Sequence, residues 1–444
     1  MIENKYEIVV DKTTQVFTRF PFEIPLGIER MEVEYSYSPE RPGKGTWRNQ
    51  INLAILDNLG NDVGTRGSQI RKLTISPNYS TDGFDRRNLT HGTWYAVIGI
   101  GRILTDKVSV SLTVRLYEKE ARWRAGDTHV HSVHSDGKYR YEELAKKAVK
   151  NGLEYLFITD HNRTVIGDLP SVKGLTMVDG IEITYDNGHS NFWGLKKPFS
   201  GTYAVNTFEE WCELREQAER NGALVSINHP NCMKCPWRWQ KEGFNLNSVE
   251  VWSGPMRPDN LLAIDWWDNE LKKGRKLPMV GGSDYHRDYV VTNFLGLPAT
   301  YVYSEGSSQE DILKGIKEGR TSVSERVGDT LITIESDGKM IGDTLAFTGE
   351  NTAKVIVKKL RKGHTLRVID NDGAVFEYKA KKSGDYVFDV DVRSKGYLRA
   401  EVTYKPNFVH KFILDVMLSI MLPGQGFKKL PPLVYALCSP IYFE

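Results

Sequence analysis

Seven of the ten histidines lie between residues 129 and 286: His129, His131, His134, His161, His189, His229 and His286. They fall in five short polar clusters, GDTHVHSVHSDG, ITDHN, GIEITYDNGHSN, SINHPN and GGSDYH, which also carry Asp136, Glu182 and Asp284. Imidazole and carboxylate are the ligand types expected for Zn, Mn or Fe(II). In an extended segment side chains repeat every two residues, so His129 and His131 point the same way and can grip one ion. Asp284 and His286 repeat that spacing. One histidine alone reads as structural, and a single H-x-H is weak. The ordered series H-x-H, SDG, TDH, E, H, H and D-x-H is strong.

The elements that must position these clusters divide the chain into three zones. Residues 1–120 alternate apolar and polar positions (Met31, Val33, Tyr35, Tyr37; Val108, Val110, Leu112, Val114), with turn-rich separators such as 58–67. Short alternating strands predict a β-sandwich-like domain. From 121 to 328 strands alternate with helices. Helices are expected over 141–151, from the Thr207/Glu210 capping box to Gly222, over 258–273 and over 311–318. Strands are expected over 155–159, 223–227, 277–280 and 321–324. That alternation predicts an α/β fold with a parallel sheet or barrel, whose strand ends meet on one face. Residues 329–444 return to strand patterns (331–334, 353–357, 386–392) around an Asn371-Asp372-Gly373 turn, and predict a C-terminal β domain.

The order and spacing of the clusters resemble the PHP family, the polymerase and histidinol phosphatase metallohydrolases, over about 121–328. The flanking β zones are similar to the carbaryl-hydrolase-like (CehA/McbA) branch. The resemblance implies a distorted seven-stranded β/α barrel holding two or three divalent ions (Mn, Zn or Fe). Its ligands, carried over by motif, would be His129, His131, Asp136, His161, Glu182, His189, His229, Asp284 and His286. One ion would take His129, His131, Glu182 and Asp284. A second would share Glu182 with His189 and His229, and a third would take Asp136, His161 and His286. Glu182 is then the bridging carboxylate, and a hydroxide bridging two ions is the expected nucleophile. Glu182 and Asp284 are the catalytic carboxylates on this reading. His134 sits beside the ligands and is open to a general-acid, substrate-contact or surface role. Asp160, next to His161, is expected to support the ligands or cap a turn.

Arg163, Arg257 and Arg287 follow motif clusters and are candidates for holding phosphate oxygens bidentately, against a plain surface ion-pair role. Trp252 is a candidate pocket wall or a packing residue. Lys234 and Arg238 are candidates for the mouth of the site, and Trp237 and Trp239 for a lid. Cys232 and Cys235 form a single C-x-x-C and read as reduced loop thiols, since a four-thiolate zinc site needs a second pair.

The formal net charge is +2, which gives no general attraction to nucleic acid or anionic membrane. Nuclease activity would want a basic groove with interleaved aromatics. An aromatic content of 11% excludes global disorder. The start MIENKYEIVV lacks a secretory pattern, and the apolar run 412–422 is interrupted by Asp415, so a cytoplasmic protein without a membrane span is expected. The expected function is metal-dependent hydrolysis of a small phosphoester. Alternatives are a carbamate or carboxylic ester hydrolase on the same metal site, a nuclease, and a non-catalytic binding module. Oligomeric state is left open.

Overall fold

The computed structural model describes residues 1–167, 169–199, 203–240, 246–288, 293–408, 411–412, 416 and 431–444. His410 and most of the apolar run 412–422 lie outside the described residues. Among the described residues no helix is long and apolar enough to cross a membrane. The chain forms two compact units. One holds Met1–Arg122 with Ser171–Thr176 and Glu305–Asp311, and the other holds the remainder.

The first unit is built from eight strands: β1 (Ile2–Asp11), β2 (Phe17–Ile24), β3 (Ile28–Ser38), β4 (Gln50–Leu56), β5 (Asp62–Arg66), β6 (Lys72–Ile75), β7 (Gly92–Arg102) and β8 (Lys107–Glu118). They form two four-stranded sheets, in the orders β1-β8-β3-β6 and β2-β7-β4-β5. Alternation makes them. In β8 the residues Val108, Val110, Leu112, Val114 and Leu116 are buried while their neighbours face outward. These join Met31, Val33, Ile51, Leu53 and Trp94 in one core.

The second unit begins with β9 (Arg122–Val130), α1 (Tyr141–Lys150), β10 (Tyr155–Ile158), β11 (Thr176–Tyr185), β12 (Gly188–Trp193), α2 (Phe208–Arg220), β13 (Leu224–Ile227), β14 (Ser248–Ser253), α3 (Pro258–Lys272) and β15 (Met279–Gly282). It continues with β16 (Ala299–Ser304), α4 (Gln309–Lys317) and β17 (Thr321–Ser324). Strands β10, β13, β14 and β15 are buried along their whole length, the mark of strands covered on both faces. Leu214 and Ala218 of α2, and Ile264, Trp267 and Leu271 of α3, pack in one core with Val225, Ile227, Val249 and Val251. The α2 start is fixed as expected: the Glu210 amide donates to Thr207 Oγ1 and the Thr207 amide to Glu210 Oε2.

Strands β9 to β15 lie side by side in chain order. A parallel bridge, Val130 to Tyr285, joins the segment after β15 back to the end of β9. The pairing is mixed, which corrects the expected parallel sheet. β9–β10, β13–β14 and β14–β15 are parallel, but β11–β12 and β12–β13 are antiparallel. The cause is a two-residue hairpin turn, Asp186-Asn187, followed by Gly188 at φ 130°. Parallel neighbours need a crossover connection, and this turn returns the chain at once; β12 then runs against β13 although α2 lies between them.

The last strands are β18 (Leu331–Ser336), β19 (Lys339–Met340), β20 (Thr344–Leu345), β21 (Thr352–Leu360), β22 (Thr365–Asp370), β23 (Gly373–Lys379), β24 (Gly384–Asp391), β25 (Gly396–Tyr404), β26 (Leu433–Cys438) and β27 (Ile441–Phe443). β26 pairs antiparallel with β17, Ser322 opposite Cys438. Strands β20, β22, β23, β25, β26 and β27 therefore belong to the large sheet of the preceding strands, while β19-β18-β21-β24 form a separate four-stranded sheet in the same compact unit.

Candidate metal centre

The clusters follow strands because each strand must end in a polar turn, and the ring geometry turns those ends toward one another. His129 lies on β9 with His131 just past its end, Glu182 on β11, His189 on β12, His229 after β13, and Asp284 and His286 after β15. All nine expected ligands converge. Glu182 is at the centre. Its oxygens lie 3.3 Å from His129 Nε2, 3.6 Å from His131 Nε2, 2.8 Å from His161 Nδ1, 3.2 Å from His189 Nδ1 and 3.6 Å from His229 Nε2. Asp284 Oδ1 lies 3.2 Å from His131 Nε2 and 3.5 Å from His129 Nε2. Asp136 Oδ1 reaches His286 Nε2 at 3.1 Å and His161 Nε2 at 3.5 Å.

Among the described residues four groupings could each hold an ion: His129, His131 and Glu182; His131, Asp136, His161 and His286; His189, His229 and Cys235; and His129, His229 and Glu250. The residues fit divalent ions. His129 Nε2 and His131 Nε2 face each other at 3.1 Å, and both face carboxylate oxygens as well. Two imidazoles turned on one point share at most one proton between them. A cation at that point satisfies all four groups.

The backbone is bent to make this arrangement. His229 has φ 29° and Asp284 φ 50°, both in the left-handed region that non-glycine residues avoid. Such conformations persist where the surroundings over-determine them, and they concentrate at functional sites. Gly137 of the SDG sequence is required for space: a Cβ there would sit 2.3 Å from the His131 carbonyl oxygen.

Electrostatics tie the cluster together. Burial opposes ionisation of Glu182, but the His129 and His189 charges and hydrogen bonds from His129 and His161 outweigh it and hold the carboxyl well below its usual range. Burial likewise disfavours the charged form of His129, yet Glu250, Glu182 and Asp284 raise it well above an ordinary histidine. His229 is raised to about 9, because the Glu182 hydrogen bond and the nearby carboxylates overcome burial. His131 is lowered to about 4 by burial, with the His129 charge acting in the same direction against Asp284 and Glu182. The ionised carboxylates thus favour the protonated imidazoles of His129 and His229, the charge that an ion would supply when bound.

Several supporting residues were not singled out in the sequence. Glu250, 1% exposed on β14, takes His129 Nδ1 at 3.0 Å and the His229 amide at 3.0 Å. The available signal was a lone glutamate inside the apolar run VEVW. Asn228 Nδ2 donates to Glu182 Oε1 at 2.8 Å. Asp127 accepts the Ser283 and Gly296 amides at 2.9 and 2.8 Å. Asp160 has the supporting role expected: it accepts the Ser132 amide, the Ser132 and Ser135 hydroxyls and the Tyr141 hydroxyl, and so holds the loop that carries Asp136.

Other expected residues are placed elsewhere. His134 is exposed, with its ring on Tyr141 at 4.7 Å, and joins none of the groupings. Trp252 is fully buried, and its indole N–H donates to the Gly254 carbonyl; it packs the core and offers no wall to a substrate. Trp237 is also buried, against Trp211 and Tyr185, which removes it from a lid. Lys234 is exposed and Arg238 Nη1 donates to the Asp186 carbonyl. Arg163 is exposed. Arg257 and Arg287 line a pocket of 320 Å³ whose wall includes Asp136, Asp284 and His286.

Glu250→Gln is expected to weaken binding of the ion at His129 by about 10- to 100-fold, because an outer partner fixes the tautomer and basicity of a ligating imidazole. Mn²⁺ titration of the two proteins checks it, and equal affinities would remove Glu250 from this role.

Comparison with curated proteins returns no match. A two-domain protein of Bacteroides vulgatus containing a predicted PHP-like metal-dependent phosphoesterase is similar at 20% identity and TM-score 0.39, over 64% of this chain and 91% of that one. A candidate metal-dependent phosphoesterase of Bifidobacterium adolescentis is similar at 15% identity and TM-score 0.28, over 43% of this chain and 94% of that one. Residues 127–222, the stretch that carries His129, His131, Asp136, His161, Glu182 and His189, match the family model described as PHP domain.

Proposed function

We propose that this chain is a metal-dependent hydrolase acting on a small phosphoester. The observation that carries the reading is the convergence of five imidazoles on buried Glu182 beside a pocket lined by two arginines. The PHP domain match over 127–222 agrees with it. On this reading β9 to β15 are the distorted barrel, and the nine residues hold two or three ions: His129, His131, Glu182 and Asp284; Glu182, His189 and His229; Asp136, His161 and His286. Bound divalent ions lower the pKa of a coordinated water toward neutrality and offset charge on a phosphoryl centre.

The chain's own groups do the rest. Glu182 and Asp284 hold the imidazole nitrogens in register, and Glu250 orients His129. Arg257 is anchored through Nε to Asp259 at 2.8 Å. Arg257 and Arg287 both line the pocket, and their two guanidinium cations are the groups proposed to pair with phosphate oxygens. A cavity of 320 Å³ suits a small substrate.

Arg257→Lys keeps a cation beside Asp259 but removes the planar fork. Its kcat/KM for an aryl phosphate is expected to fall about 10-fold or more, the worth of one charge-assisted hydrogen bond. Hydrolysis of a neutral aryl ester should be untouched. Equal losses on both substrates would take Arg257 out of phosphate recognition.

Side-by-side assays of aryl phosphate mono- and diesters, aryl esters and aryl carbamates with Mn²⁺-loaded protein test the function itself. Cleavage of the phosphates is the expected result. Cleavage of only the neutral substrates overturns the phosphoesterase reading in favour of ester or carbamate hydrolysis.

A further inference from the structure

The C-x-x-C pair lies against the candidate centre. Cys235 Sγ is 3.8 Å from His229 Nδ1, while His229 Nε2 faces Glu182 at 3.6 Å. His129 has the same two-sided arrangement, with Glu250 on Nδ1 and Glu182 on Nε2. Cys235 therefore stands toward His229 where a carboxylate stands toward His129. Cys232 Sγ lies 3.4 Å from Cys235 Sγ, so the two sulfurs are in contact. Both residues are half-buried, open to a small reagent, whereas Cys438 is fully buried.

The loop that carries them is pinned at both ends. The Cys232 amide donates to the His229 carbonyl at 2.8 Å, and the Trp237 amide to the Pro230 carbonyl at 3.1 Å. Trp237 is locked in the core against Trp211, and the Arg238 amide donates to the Asn187 carbonyl. The sulfurs are thus held in contact by surroundings that do not depend on them.

We propose that Cys232 and Cys235 are a reversible dithiol–disulfide site whose oxidation withdraws the partner of His229 and weakens ion binding there. The co-reactant is a small disulfide of the glutathione class. One cysteine thiolate attacks it, forming a mixed disulfide and releasing one glutathione thiolate. The second cysteine thiolate then attacks the protein sulfur of that mixed disulfide. The Cys232–Cys235 bond forms, the second glutathione leaves as thiolate, and both glutathiones take up the protons lost by the cysteines. The pair is oxidised by two electrons and one glutathione disulfide is reduced to two thiols. His229, at φ 29°, depends on its neighbours to keep its ring aimed at Glu182. Loss of its outer partner carries an expected 10- to 100-fold fall in affinity. The effect on the ion rests on the function proposed above; the disulfide does not.

The test has two readouts. Metal-free protein equilibrated in glutathione redox buffers is peptide-mapped for a Cys232–Cys235 link. Reduced and oxidised protein are then titrated with Mn²⁺, a hard cation that binds thiolate poorly, so that loss of a sulfur ligand does not imitate the effect. The expected result is a link between these two cysteines and at least 10-fold weaker Mn²⁺ binding after oxidation. Cys232→Ser, which keeps Cys235 against His229, should bind Mn²⁺ normally and ignore the oxidant. Absence of the link, a link without change in Mn²⁺ affinity, or a Cys232→Ser protein that still responds each overturns the proposal. Reduced protein that links normally but takes up no Mn²⁺ overturns the metal reading instead, and with it the consequence claimed for oxidation.

Discussion

Glu182→Gln is expected to strip the centre of its ions and to reduce turnover by more than about 100-fold. Glu182 is the neighbour of five imidazoles and is 0% exposed. Glutamine keeps the shape but loses the charge and replaces one acceptor oxygen with a donor. Removing an outer partner of a ligand already costs about 10- to 100-fold in affinity, and a shared central carboxylate should cost more. The ion-free protein should also suffer. Carboxylates around His129 and His229 raise both above an ordinary histidine and favour their charged forms. Breaking a buried pair by removing one partner costs about 3–5 kcal/mol. Elemental analysis and a chelated-protein thermal melt read the two effects separately. A variant with full metal content, normal turnover and an unchanged melt would show that Glu182 bridges nothing.

Asp284→Asn should behave differently. Asp284 is partly exposed at the pocket, and its φ of 50° lies in a region that asparagine adopts more readily than most residues. The fold and melting temperature are expected to survive. The lost charge faces His129, His131 and His286, so turnover should fall by about 100-fold or more. Turnover within a few-fold of the parent, with metal intact, would remove Asp284 from the centre.

The nine convergent residues were legible because they recur in short polar clusters on or just past strand ends, in an order that resembles the PHP family's. Their outer partners were less so. Glu250 is a single carboxylate in an apolar strand, and nothing in VEVW says which histidine it will meet. Trp252 and His134 stayed open between a site role and a packing or surface role for a related reason. Adjacency in sequence to a motif does not decide which face of the strand a side chain takes, and Trp252 faces the core. The helix starts were legible because the Thr207–Glu210 box and Pro258 act locally. The β11–β12 hairpin had a local signal as well, Asp186-Asn187-Gly188, which the expectation of a parallel sheet overrode. The pairing of β26 with β17 had none, since the partners are over a hundred residues apart.

The Val130–Tyr285 bridge has a kinetic consequence. It joins segments more than a hundred residues apart, with His129 and His131 on one side and Asp284 and His286 on the other. Contacts so distant along the chain carry a large closure entropy and slow the folding of the proteins that depend on them. The two halves of the candidate ligand set therefore do not exist as a pair in a chain whose seam is still open. An ion that needs both halves binds only after the seam has shut, and its binding energy is added entirely to the shut state. Metal binding then works as a latch on the shut seam, and the loaded chain should outlast the chelated one in a protease-resistance time course even where their secondary structure is the same.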